Sequence, residues 1–256
     1  MHYEVSTKRM VNIALPIAGR GHRFAEAGYP PKPLLLVHGT PLIEVVVRAV
    51  RPRAAHHFIF IALREHLDAF GLRQTLRRIA PGCTVVPVER ASEGAVRSVL
   101  MARRYVNTAA PLLVADAGQW IDAHVQPLLD SMSHDRSDGV VMTVSGCLFA
   151  RPTVSLTPEG VIAAVTETAS GGDVVAGIYA FRHGRDFVSA ADRMIAKARR
   201  PNTEFHLASV CQELVSGGAR LTALPVGEFD AVVHELGEPA DFDRFLTDPA
   251  SLRAVA

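Results

Sequence analysis

Three basic side chains, Arg20, Arg23 and Lys32, fall within about a dozen residues of Gly19 and Gly21, directly behind the apolar run Val11 to Ile17. Residues of these types in this order can cradle a polyphosphate, whose crowded anionic oxygens must be met by backbone N–H groups and fixed cations. The glycines allow close backbone approach. Arginine presents a rigid fork to paired phosphate oxygens and lysine a mobile point charge, so the presence of both suggests positioning by one and reaction by the other. The segment VNIALPIAGRGHRFAEAGYPPKPLLL, from Val11 to Leu36, is neither of two commoner phosphate loops. Lys32 lies too far from the glycines for GxxxxGK[ST], and GRGHRF carries Phe24 where a dinucleotide fingerprint needs a third glycine. Pro30, Pro31 and Pro33 predict that the turn does not run straight into a helix, so that the loop itself wraps the ligand. Taken alone, the same pattern also fits a basic surface loop between two buried runs.

The next residue with chemistry is Asp116, at the end of the apolar run in PLLVADAGQWID. A strand ending there would present its carboxylate at a crevice, a suitable place for Mg²⁺ together with substrate phosphates. Were the strand to continue, residues 116 and 118 would face the same side. A Ser/His/Asp reading has no comparable support, since the eleven histidines are scattered and GxSxG is absent. His56 and His57 read as strand-edge residues.

Alternating elements must position these groups. Val11 to Ile17, Phe58 to Ala62, Thr84 to Val88 and Leu112 to Ala115 read as buried strands. Between them, Pro41 to Val50 reads as a helix with Thr40 as N-cap and proline at its first position. Glu65 to Ile79 reads as another, with Leu67, Phe70, Leu72 and Leu76 on its apolar side. This βαβα order predicts a Rossmann-like, mostly parallel sheet flanked by helices, with the ligand crevice beyond the carboxyl ends of its strands. After Gly139 the rhythm changes to strands at Val140 to Val144, Val161 to Val165 and Val175 to Phe181, predicting a smaller mixed or antiparallel layer. Helices follow around Phe187 to Ala198 and His206 to Leu214, then strands at Leu221 to Val226 and near Val232, and a final helix from Ala240.

The chain has 256 residues, 48% of them apolar, enough to bury a large core in one α/β domain. The change of rhythm near Gly139 divides this domain into a half over about 11–135 and a half over about 136–250. A net charge of +1 offers no basic face for nucleic acid, so the expected ligand is small. Cys83, Cys147 and Cys211 are widely spaced with no CxxC, which suggests neither a disulfide framework nor a zinc site and suits a reducing cytoplasm. The polar start MHYEVSTKRM and the break at Pro16 and Gly19 fit neither a signal peptide nor a membrane span.

LPIAGRGHRF followed by GYPPKPLLLVHGTPLIEVVV resembles the signature of the sugar-phosphate nucleotidyltransferases, a family related in fold to the GT-A glycosyltransferases. The resemblance implies a GT-A-like fold, an NTP and a small phosphorylated acceptor as partners, Mg²⁺ as cofactor, and release of pyrophosphate. It implies Lys32 and Arg23 as catalytic residues, with Ala18, Gly19, Arg20 and Gly21 on the nucleotide phosphates. In ERASEGAVRSVLMAR, Glu93 and Gly94 would lie against the base, which the resemblance suggests is a pyrimidine (CTP, UTP or dTTP). VVHELGEPADFDRFL resembles a segment running from an acid through LGTPEDL, placing Glu235 beside Asp116 as a second metal ligand, with Asp230 an alternative acid. VTETASGGDVVAGIYAFRHGRDF resembles an EK stretch followed by GIYYF, so Glu167 and Gly177 would serve the acceptor. In NTEFHLASVCQELVSGGARL, Glu204 would contact acceptor or cap a helix.

Several positions depart from the pattern. Asp116 takes the asparagine place of an NSDQ-like stretch while Gly118 replaces the expected metal aspartate, although VAD also matches relatives that read LGDN. Thr168 stands where a lysine would hold the acceptor phosphate, Glu238 replaces a threonine, and His22 stands where relatives carry Ser or Thr. Two readings therefore stand: an enzyme of nucleotide-sugar type, or a catalytically degenerate nucleotide-binding homologue. A glycosyltransferase ranks third for want of a clear DxD.

Overall fold

The computed structural model describes residues 10–19, 21–92, 94–134, 136–147, 151–169, 172–197 and 205–256. The strands are β1 (Val11–Ile17), β2 (Leu36–Val37), β3 (Thr40–Pro41), β4 (His56–Leu63), β5 (Thr84–Val88), β6 (Leu112–Ala115) and β7 (Gln119–Ile121). They continue with β8 (Gly139–Ser145), β9 (Arg151–Leu156), β10 (Ile162–Ala169), β11 (Asp173–Phe181), β12 (Leu221–Glu228) and β13 (Val233–Glu235). Among the described residues nine strands form one mixed sheet whose main path runs β10-β9-β11-β6-β1-β4-β5, with β8 bridging β11 and β12. Strands β6, β1, β4 and β5 are mutually parallel, so their carboxyl ends share one edge of the sheet.

Apolar runs make this centre. In β1, Ile13 and Leu15 point to one core and Ala14 to the other, so both faces are covered and the strand needs no polar alternation. The C-terminal half adds the antiparallel strands that its change of rhythm predicted. β11 runs antiparallel to β6 with Ile178 opposite Ala115, and it also pairs with β8 and β9. Two short antiparallel ribbons, β2 with β3 and β7 with β13, lie outside the main sheet.

Four local expectations are corrected. The helix expected over Pro41 to Val50 is Leu42–Ala49 with Pro41 at its N-cap, while Thr40 is taken up by the β2–β3 ribbon and is not the cap. The helix expected over Glu65 to Ile79 is two, Arg64–Ala69 and Leu72–Ile79, because Gly71 adopts φ 69° between them. The break turns Phe70 outward, whereas Leu67, Leu72 and Leu76 are buried. A short helix, His22–Glu26, does follow Gly21 directly, because the prolines begin only after it and instead shape the 3₁₀ turn Lys32–Leu34. Extended backbone does not persist past Ala115, so residues 116 and 118 are related by a turn. His56 and His57 lie at the amino end of β4, paired with β1 and ahead of the first residue that pairs with β5, as strand-edge residues.

Candidate active site

The loop after β1 and the turn after β6 face each other across a cleft at the shared carboxyl edge, lined by Gly19, Gly21, Lys32, Asp116 and Gly118 among others. Lys32 reaches it from the 3₁₀ turn, between Pro31 and Pro33, whose rings fix φ and limit how far the side chain's base can wander. Its ammonium donates to the Gly118 carbonyl at 3.1 Å and stands 5.9 Å from the centroid of the Phe24 ring. Burial holds the Lys32 ammonium below its ordinary value, while Asp116 and Asp241 pull in the opposite direction. A cation kept partly desolvated in this way acts more strongly on a nearby phosphate than one in water.

Gly118 has a structural role that the sequence comparison did not suggest. Its N–H donates to Asp116 Oδ1 at 2.8 Å, folding that carboxylate over the turn. Its carbonyl accepts from Lys32 and from the Leu236 N–H at 3.0 Å, which joins the two sides of the cleft to the entry of the C-terminal segment. A Cβ at position 118 would sit 3.0 Å from Asp116 Oδ1, too tight for an ordinary contact, so glycine suits this turn.

The basic loop is anchored from behind. Phe24, Tyr29 and Phe242 form a cluster of edge-to-face rings with centroids 5.9 to 6.4 Å apart. Phe242 belongs to the helix Pro239–Thr247, and Tyr29 Oη donates to Asp243 Oδ1 of the same helix at 2.9 Å. Arg23 forms an exposed ion pair with Glu238 just before that helix. These aromatic anchors could have been suspected from Phe24 in GRGHRF and Phe242 in DFDRF, two apolar residues in otherwise polar stretches.

On the far side of Asp116, its N–H donates to the Gly177 carbonyl at 2.9 Å. Gly177 has φ 76°, and a Cβ there would fall 2.2 Å from the Gln119 Nε2 atom, so β11 can approach the turn only with glycine. Glu235 lies opposite Gln119 in the β7–β13 ribbon and pairs with Arg151. Gln119 and Arg151 escaped the sequence reading because contacts between distant strands leave no local spacing.

Gly94 starts the helix Ala95–Met101, which follows β5 and packs back on β1 and β4. Glu167, on β10, accepts from Ser209 Oγ, and three strand spacings, about 14 Å, separate its strand from that of Asp116. Ala18 is buried beneath the loop. Arg20, Glu93 and Glu204 lie outside the described residues. Burial pushes the Cys211 thiol up to about 12, which keeps it protonated and inert.

The glycine loop, the lysine turn and the carboxylate turn fall inside residues 16–174, which match the model of the MobA-like NTP transferase domain. The chain belongs to this nucleotidyltransferase family. Solved structures share its GT-A-like fold. A nucleoside-diphosphate-sugar pyrophosphorylase from Vibrio cholerae RC9 superposes with a TM-score of 0.74 at 20% identity, over 93% of this chain and 100% of that one. A UDP-glucose pyrophosphorylase complexed with UDP-glucose gives 0.69 at 15% identity, over 93% and 97%. The inositol-1-phosphate CTP transferase from T. maritima gives 0.68 at 15%, over 96% and 95%. No curated protein sequence matches the chain. Among the described residues no helix is long and apolar enough to cross a membrane.

Proposed function

We propose that this protein transfers the nucleotidyl group of an NTP, a pyrimidine nucleotide by its resemblance, to a sugar phosphate or another small phosphorylated metabolite. An acceptor phosphate oxygen attacks the α-phosphorus, the bond to the β-phosphate oxygen breaks, and pyrophosphate leaves with that electron pair. A phosphate monoester is largely ionised near neutral pH, so no general base is needed and the protein contributes alignment and charge stabilisation. The observation that carries this reading is the placement of Lys32, tied to the Gly118 carbonyl beside Asp116 in the cleft of the glycine loop.

In this mechanism Lys32 stabilises charge developing on the α-phosphate, while Gly19 and Gly21 amides with Arg20 and Arg23 hold the departing pyrophosphate. Arg23 must exchange Glu238 for phosphate oxygens to do so. The half over about 11–135 takes the nucleotide, with Glu93 and Gly94 toward the base. The half over about 136–250 takes the acceptor, with Glu167, Gly177 and Glu204 on that side.

The donor set suits Mg²⁺. Asp116 and Glu235 are exposed carboxylates, and no group of three acidic, His or Cys side chains able to hold a metal occurs among the described residues. That fits an ion that keeps waters and takes one or two carboxylates with substrate phosphates. Asp116 and Glu235 would hold it, and it would neutralise phosphate charge.

Pyrophosphate release measured with each NTP, Mg²⁺ and a panel of phosphorylated acceptors tests the reading. Lys32→Ala should lower kcat/KM by about 10²- to 10³-fold, the cost of removing a preorganised transition-state donor. Undiminished activity in Lys32→Ala would overturn the mechanism. Nucleotide binding with no release across the panel would favour the degenerate binder.

A further inference from the structure

A basic side chain without an assigned role is bonded to the short strand that follows the carboxylate turn. Arg151 opens β9, and its guanidinium is held from three directions. It pairs with Glu235, donates from Nη2 to Gln119 Oε1 at 3.2 Å, and lies 5.0 Å from the centroid of the Phe229 ring. Gln119 is itself buried and locked, its Nε2 donating to the Ala176 carbonyl at 2.6 Å. The next residue along, Gly177, accepts from the Asp116 N–H. A continuous set of polar contacts thus runs from Asp116 through β11 and Gln119 to Arg151. Burial first of all raises the Tyr179 phenol, with Asp116 adding to the rise and Arg151 opposing it, so both charges act on one buried group.

Three other cations of this half are committed elsewhere: Arg182 donates to the Ser137 and Met132 carbonyls beyond the opposite end of β11, and Arg193 and Lys197 share Glu213. Arg151 is oriented before any ligand arrives, with its side chain 21% exposed. A guanidinium has five N–H donors in a planar fork, so one carboxylate and one carboxamide leave donors for a phosphate.

We propose that Arg151 binds the phosphate of the acceptor, a phosphate monoester dianion, on the Asp116 side of the cleft opposite Lys32. This rests on the nucleotidyl-transfer reading above, in which two phosphorylated substrates must meet. Glu235 is the exposed member of its pair and is the group a phosphate would displace or share. The selectivity that follows is for acceptors bearing a phosphate, with Gln119 setting the plane of the fork.

The test uses inorganic phosphate as the probe, titrated calorimetrically into the full chain, the R151Q and R151K variants, and K32A. R151Q should weaken phosphate binding about 10- to 100-fold, the range for losing a charge-assisted hydrogen bond. K32A should retain phosphate affinity within a few-fold, because Lys32 serves the nucleotide. R151K should fall between the natural chain and R151Q. Thermal denaturation checks that each variant is folded. Equal response of the natural chain and R151Q, including no response from either, overturns the proposal, and so does a loss confined to K32A. Phosphate binding that requires Arg151, accompanied by no pyrophosphate release with any acceptor, would uphold the site and refute the transfer reaction.

Discussion

Gly177→Ala tests whether the carboxylate turn and the acceptor strand form one rigid unit. Glycine at φ 76° lets β11 pass over Gln119, and the added Cβ would lie 2.2 Å from Nε2 and 3.3 Å from the Asp116 Cβ. The backbone conformation alone costs an L residue about 1–2 kcal/mol. Overpacking against a locked carboxamide adds about 1–3 kcal/mol. The total, about 2–5 kcal/mol, lowers the melting temperature by roughly 4–20 °C for a chain of this size. Gln119→Ala removes the obstacle but strands the Ala176 carbonyl, at about 1–3 kcal/mol. The double variant should therefore lose less stability than the sum of the single ones, by about the steric 1–3 kcal/mol, because the residues touch. Urea unfolding of the four proteins measures this, with similar m-values expected throughout. Additivity within about 0.5 kcal/mol would mean that Gln119 does not hold β11 against the turn.

Two further outcomes follow from the charges. Because burial holds the Lys32 ammonium below its ordinary value of 10.5, and only the ammonium serves the phosphate, kcat/KM should fall as pH rises through that lowered pKa, earlier than for an exposed lysine. Lys32→Arg should remove this alkaline limb, and a limb that persists in it assigns the titration to another group. Glu238→Thr releases Arg23 from an ion pair whose partners are both largely exposed, so stability should change by less than about 1 kcal/mol. The KM for NTP should drop in that variant, and a rise would show that the pair orders the loop for nucleotide.

The central strands were legible because each is a buried apolar run: the bounds of β1, β5 and β6 coincide with the runs Val11 to Ile17, Thr84 to Val88 and Leu112 to Ala115. Helix interruptions were not, because the periodicity of Leu67, Leu72 and Leu76 continues across Gly71 and hides a left-handed residue that reverses the chain locally. The prolines of the basic loop begin only at Pro30, four residues beyond Glu26, too late to prevent the helix His22–Glu26. On the acceptor side the difficulty is register. Thr168 stands where the resemblance expects a cation, yet its neighbour Ala169 pairs with Arg151 across β9 and β10, with a shift of register between Thr166 and Ala169. No spacing along the chain encodes which residue faces which across such a shift. Gly118 is a related case, since a lost carboxylate is visible in sequence while a carbonyl that steers Lys32 is not.

Arg23 and Arg151 are both neutralised by the same short stretch of chain. Glu235 holds Arg151 and Glu238 holds Arg23, with Leu236 between them fastened through its N–H to the Gly118 carbonyl that also accepts from Lys32. Unpaired cations crowded together would repel one another, and carboxylates from this segment lower that cost. They also raise the threshold for any anion that would enter, since a phosphate must out-compete a carboxylate already in place. A dianionic monoester or a triphosphate can do so through greater charge and more acceptor oxygens, whereas a monoanionic metabolite has neither advantage. On the nucleotidyl-transfer reading, phosphate entry exchanges these carboxylate partners for phosphate oxygens.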